Sequence, residues 1–274
     1  GLLRRLGCLI RPYEKLEGTT NRVVARSLEI FESAFLGKIS KMRAVKEVVV
    51  LFDGIQKTIS PEQILGSSSR GRPKVAVFGD LYARDNAVFN QDLIAEIEAA
   101  GGEVVTTPYS DYAKIIAGAY FKRWFREGRY SIWLRNRLFL FLAELIEGRY
   151  YRPFDKYLGK PLHSADQGFE AVLARFHLRP EHSGESVENL LKIFHLIKVH
   201  PDISLFVQTN PAFCCPSLVT EAMAAPLESV TGVPIVTITY DGTGGKKNDL
   251  LVPYLKYAAI LSRQKQRAEE KSSA

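Results

Sequence analysis

The sequence predicts an α/β fold: a mostly parallel sheet with helices on both faces and a helical insertion. Three observations predict it. Short apolar runs at Lys74–Phe78, Glu103–Thr107, Ile203–Val207 and Pro234–Thr239 have the length of buried strands. Helical patterns separate these runs, and strand–helix–strand alternation is the signature of a parallel sheet with right-handed crossovers. Glycine and proline punctuate the pattern at Gly79, Gly101-Gly102 and Pro108.

Taken in order, residues 1–18 read as irregular, with turn signals at Arg11-Pro12 and Glu17-Gly18. Thr19 or Thr20 can cap a helix that runs to Leu36, carrying Val23, Val24, Leu28, Ile30, Phe31 and Phe35. Residues 41–57 hold two signals. Val48–Phe52 has strand propensity, but Met42, Val45, Val49, Phe52 and Gln56 follow helical spacing, and the helix is preferred. Ser60–Pro73 reads as a linker.

The first strand, Lys74–Phe78, ends in Gly79-Asp80. A helix over Asn90–Ala100 stops at Gly101-Gly102 in the manner of a C-cap. The second strand stops at Pro108. Residues 111–148 read as two helices broken near Gly128, and 149–183 as irregular with one helix near 166–176. An amphipathic helix over Glu185–His200 precedes the third strand, a helix over 217–229 precedes the fourth, and a last helix starts near Asn248. These expectations divide the chain into a helical segment, 1–66, an α/β domain, 73–260, with a helical insertion at 108–200, and a charged tail, 261–274.

The 274 residues suffice for a sizeable core. Apolar content of 46% and charged content of 24% are those of a folded protein. No apolar run has the length of a membrane-spanning helix. The start, Gly-Leu-Leu-Arg-Arg, lacks Met and a signal-peptide pattern, which fits a shortened or partial chain better than a secreted precursor. A net charge of +7 is spread thinly, so a dedicated nucleic-acid role is not expected. Three cysteines, two of them adjacent, do not make a disulfide framework and point to a reducing, cytoplasmic setting.

In open α/β sheets, ligands bind beyond the carboxyl ends of the strands. Four loops leave those ends: Gly79–Asn86, Pro108–Asp111, Asn210–Pro216 and Tyr240–Asp249. They are expected to converge on one crevice. Cys214 and Cys215 precede a helix whose first residue would be Pro216, where N–H groups and the dipole favour a thiolate, the form that a metal or cluster needs. Equally, both can be small apolar residues packed under a loop. Asp241-Gly-Thr-Gly-Gly-Lys can cradle an anion or make a tight strand-to-helix turn, and it lacks P-loop spacing. Asp80, Arg84 and Asn86 can hold a polar ligand, or Asp85 and Asn86 can cap the next helix. The five histidines show no metal-ligand spacing. The basic, aromatic stretch Phe121–Arg126, with Arg129, Arg135 and Arg137, can meet an acyl-CoA phosphate, a partner or RNA. It reads more simply as a helix with one buried aromatic face and one wet basic face.

Arg11-Pro-Tyr-Glu14, Gly18-Thr-Thr-Asn-Arg22, Gly79–Asn86, Asn210–Pro216 and Tyr240–Gly244 occur in that order. Together they resemble the 2-hydroxyglutaryl-CoA dehydratase D-component and benzoyl-CoA reductase family, most closely the C-terminal module of activase-related proteins. The resemblance spans about Leu6 to Tyr257. It implies a Rossmann-like fold and a 4Fe-4S cluster held by cysteine thiolates. It also implies a CoA-thioester substrate and low-potential electrons from an ATP-hydrolysing activase. By that resemblance Cys214 is the foremost cluster ligand, Cys215 assists, and Cys8 stands for the earlier cluster cysteines. Further thiolates would come from a missing N-terminal half or a partner chain. Asp80, Arg84, Asn86 and Asp241 would line the cavity, with the cluster buried in an apolar loop beside Phe213. The other reading is a non-catalytic Rossmann-like scaffold or partner-binding domain with structural cysteines.

Overall fold

The computed structural model describes residues 1–56, 59, 72–158, 169–179 and 184–260. The expected charged tail and most of the Ser60–Pro73 linker lie outside them. The chain divides into two compact units, Gly1–Gly71 with Tyr130–Pro161, and Arg72–Arg129 with Leu162–Ala274. The segment 108–200 is therefore shared between the units.

The first unit is helical. It contains α1 (Leu2–Ile10), a 3-10 turn (Arg11–Tyr13), α2 (Thr19–Phe35) and α3 (Lys41–Gln56). Helix α7 (Tyr130–Tyr151), a second 3-10 turn (Arg152–Phe154) and α8 (Asp155–Leu158) complete it. Its core gathers Leu6 and Ile10, Ile30 and Ala34, Val45, Val48 and Phe52, and Phe154 and Tyr157. Residues 2–10 are thus helical rather than irregular. Leu3, Leu6 and Ile10 recur at helical spacing and bury one face, a pattern too short to stand out from its turn-rich neighbours. The helical reading of 41–57 holds: Val45, Val48 and Phe52 point inward one turn apart, which a strand would split between two faces.

The second unit is α/β. Its four strands are β1 (Lys74–Gly79), β2 (Glu103–Val105), β3 (Ile203–Pro211) and β4 (Ile235–Tyr240). All pair in parallel in the order β2-β1-β3-β4, a Rossmann-like arrangement. Its helices are α4 (Leu81–Asp85), α5 (Leu93–Ala99), α6 (Tyr109–Arg126), α9 (Phe169–Arg175), α10 (Glu185–Val199), α11 (Cys215–Ala222), α12 (Ala224–Thr231) and α13 (251–260). Ala76, Phe78 and Phe206 face a core with Leu173 of α9, Leu190, Ile193 and Leu196 of α10, and Leu227 of α12. The opposite face carries Val75, which with Ile97 of α5 packs around Gly102, leaving no room there for a Cβ. Among the described residues, no helix is long and apolar enough to cross a membrane.

Two differences from the expected elements bear on function. Strand β3 runs on to Pro211, beyond the expected end at Val207. Gln208, Thr209 and Asn210 are polar, so they read as loop, yet they pair with β1 and β4 and are buried. The stretch 121–137 is divided between α6 and α7, and α7 buries no side chain. Its expected buried aromatic face is reduced to Phe121, packed near Trp124.

Candidate functional site

The strand order reverses between β1 and β3, and there the two chains leave the sheet side by side. Gly79 has φ +110, and a Cβ on it would stand 2.4 Å from the Thr209 carbonyl oxygen. Only glycine lets β1 end this close to β3. Asp80 N–H then donates to Thr209 O at 2.9 Å. Asp80 caps α4: its Oδ1 accepts from Ala83 N at 2.7 Å.

A crossover helix runs antiparallel to the strands, so the N-terminus of α10 lies at their carboxyl end. That puts Glu185 beside Asp80. After β3, Phe213 takes φ +63, a left-handed conformation that is costly for an aromatic residue. The strained turn presents Cys214 as the N-cap of α11. Asp80, Glu185 and Cys214 bring one carboxylate oxygen, another and Sγ within 4.8 Å of one another. All are half-buried. They form the one group of this kind among the described residues, and no histidine takes part.

Buried charges adjoin this trio: Glu188 and Lys192 act on Glu185, and Arg84 acts on Lys192. Arg84 is 1% exposed. Its Nε and Nη2 each donate to Asp85 at 2.9 Å, Nη1 donates to Thr107 Oγ1 at 3.1 Å, and the guanidinium lies 5.5 Å from the Tyr109 ring centre. Glu188 and Lys192, one turn apart on α10, pair with each other in full burial. Burial chiefly, with the Arg84 charge, pushes the Lys192 ammonium down, against the pull of Glu188. Burial raises the Glu185 carboxyl, and the charges of Asp80 and Glu188 raise it further. Tyr112, on α6, is raised by burial and by Glu185 and Glu188.

The expected site residues separate into three groups. Asp80 and Cys214 meet, and Arg84 belongs to the buried charges beside them. Asn86 and Asp241 instead build turns. Asn86 Oδ1 accepts from Phe89 N at 3.1 Å. Asp241 Oδ1 accepts from Thr243 N at 3.0 Å and from its Oγ1 at 2.7 Å, and Lys247 Nζ lies 3.1 Å from Oδ2. These bonds from Thr243 and Lys247 hold the exposed Asp241 carboxyl well below the usual range. The loop Asp241–Lys247 thus satisfies its own carboxylate. The third group is the remaining cysteines. Cys215 is exposed, with Sγ directed 3.9 Å from its neighbour Phe213 O. Cys8 is buried in α1 of the first unit.

No family model, curated protein or solved structure matches this chain.

A 4Fe-4S cluster takes cysteine thiolates. The described residues bring one to the crevice, flanked by two carboxylates, so this chain's own donors do not fit that group. Nor is there an apolar burial loop: Phe213 is 93% exposed.

Sequence reasoning missed Glu185, Glu188, Lys192 and Asn90. The first three read as the wet face of an amphipathic helix. A signal was available for Glu185, an acid in the first turn of a crossover helix, which topology places at the strand ends. Asn90 gave none. Its Nδ2 donates to Ala83 O at 2.8 Å and Arg84 O at 2.9 Å, which secures the end of α4.

Proposed function

We propose that this chain is a metal-carrying module of the kind of system its motifs resemble, acyl-CoA dehydration or reduction driven by low-potential electrons. The single observation that supports the reading is the meeting of Cys214, Asp80 and Glu185 at the β1/β3 switch point. A soft and two hard anionic donors in one crevice suit a metal better than an organic anion, which the two carboxylates would repel. An ATP-dependent activase or a further segment of the same protein is the electron-supplying partner, and a CoA thioester the substrate class. A cytoplasmic setting keeps the cysteines as free thiols.

In this role the residues act as follows. Cys214 and the two carboxylates bind the metal, Ser217 Oγ donates to Cys214 Sγ at 3.3 Å and orients it, and Asp80 is oriented by its bond to Ala83 N. The buried pairs Arg84–Asp85 and Glu188–Lys192 hold the walls of the crevice.

The test is metal analysis of the full chain isolated without air, beside Cys214→Ser. Retained metal that is lost in the variant supports the module. Metal-free protein that takes up none on reconstitution overturns it and leaves the scaffold reading.

A further inference from the structure

We propose that the crevice holds a single divalent cation of the borderline class, zinc or ferrous iron, on Cys214 Sγ, Asp80 and Glu185, with one coordination position open. This rests on the metal-binding part of the reading above and not on its electron-transfer part, since Zn²⁺ has no redox chemistry, and it departs from the cluster that the motif resemblance implies.

The donor set is the first argument. Thiolate and carboxylate ligands together suit Zn²⁺ and its neighbours, and three protein ligands with an open position are the pattern of a reactive rather than a closed structural site. The ligand atoms lie within 4.8 Å of one another, close enough for rotamer adjustment to bring all three onto one ion. Asp80 spends only Oδ1 on the α4 cap, which leaves its second oxygen for a metal.

Charge is the second argument. Arg84 is matched by Asp85, Asp111 has Lys114 at 3.8 Å, and Lys192 is matched by Glu188. Asp80 and Glu185 form no ion pair among the described residues and face each other, and the Lys192 charge acts on Glu185 less than Asp80 and Glu188 do. Two like charges at this distance in partial burial are mutually unfavourable. A divalent ion neutralises both.

The third argument is independent of the acids. Asn189 is fully buried, and neither Oδ1 nor Nδ2 meets a hydrogen-bond partner. It lies four residues after Glu185 on α10. Residues four apart share a helix face, and their side chains lean toward the helix N-terminus. The Asn189 amide therefore leans toward the Glu185 turn. Gln208 is also fully buried: Nε2 donates to Ser217 O at 2.8 Å and to Asn210 Oδ1 at 3.1 Å, but Oε1 has no partner. Ser217 in turn bonds Cys214. Buried orphan polar atoms cost free energy unless a water or ligand satisfies them. Asn189 is one helical turn from Glu185, and Gln208 is linked to Cys214 through Ser217, so an ordered water or a hydrated ion at the trio is a candidate partner for these atoms.

The experiment is titration of the chelator-stripped full chain with Co²⁺, followed by Zn²⁺ displacement. The expected result is one cobalt per chain with a thiolate-to-cobalt charge-transfer band that zinc removes. Cys214→Ser abolishes the band. Asp80→Asn and Glu185→Gln keep it but weaken binding by at least about tenfold, as loss of a metal-supporting group does. Cys215→Ser and Cys8→Ser behave as the parent. Circular dichroism checks each variant, and the parent's stoichiometry stands without any variant. A band that survives in Cys214→Ser overturns the assignment. So does reconstitution with iron and sulfide to a four-iron cluster that needs Cys215 or Cys8, although that result leaves the metal-carrying function intact. Failure to bind cobalt, zinc or a cluster overturns both.

Discussion

Glu14 and Glu185 are both acids at a helix start, and the structure treats them in opposite ways. Glu14 precedes α2 and accepts from Gly18 N and Thr20 N, each at 2.7 Å. Burial works against its ionisation, but the bonds from Thr20 and Gly18 and the Arg11 charge outweigh it and hold the carboxyl below its ordinary range. Glu185 opens α10 and faces Asp80 and Glu188; burial and those charges push it up. The lesson concerns motifs. Arg11-Pro-Tyr-Glu14 and Gly18–Arg22 form one self-contained cap: Glu14 closes the helix and Arg11 Nε donates to Asn21 Oδ1 at 2.9 Å. The crevice of the second unit leaves its charges and amides incompletely matched, which is the condition for binding something.

The sharpest way to break this comparison is Lys192→Met. It leaves Glu188 as a buried, unpaired charge and should cost about 3–5 kcal/mol in denaturant unfolding, whereas Lys192→Met with Glu188→Leu should recover most of the loss. Equal losses in the single and double variants would show that the pair matters by shape alone. Gly79→Ala comes next. The added Cβ meets backbone at 2.4 Å and the φ is left-handed, so about 2–3 kcal/mol should be lost, together with metal uptake, because Asp80 moves.

Glu14→Ala should cost about 1 kcal/mol, the usual value of a helix cap, without affecting metal binding. The sign with pH follows from the lowered carboxyl. Its stabilisation is complete above the unfolded value of about 4.3 and fades as pH falls through the lower folded value. Acid unfolding of the parent and Glu14→Gln should therefore converge at low pH. Curves that stay parallel would deny the cap its charge. The smallest effect on stability should be that of Asp80→Asn, within about 0.5 kcal/mol, since Asn caps as well as Asp. Its metal affinity should still fall, and that contrast separates capping from ligation.

Parts of this were legible in the residues. The four strands, most helices and the switch-point loops follow from apolar runs and their punctuation. Asp80 and Cys214 stand out as polar or reactive residues at strand ends. Arg84 did not show its burial, because an arginine in a polar loop looks solvated until Asp85, Thr107 and Tyr109 are seen around it. Asn86 and Asp241 looked like ligands, because a turn-forming carboxylate or amide carries the same atoms as a binding one. The extension of β3 through Gln208, Thr209 and Asn210 was hidden for a related reason: polar residues can be buried once neighbours on both sides take their hydrogen bonds.

By itself, the sequence determined where strands and helices form and which loops carry chemistry. Those features depend on periodicity, propensity and turn residues, all set within a few positions. Only the tertiary structure decided that Asp80, Glu185 and Cys214 stand together, that Cys215 does not join them, and that the Asn189 amide and Gln208 Oε1 are buried without hydrogen-bond partners. The reason is physical. Proximity between distant residues follows from the strand order β2-β1-β3-β4 and from a crossover helix beginning at the strand ends, and neither is written in any local pattern.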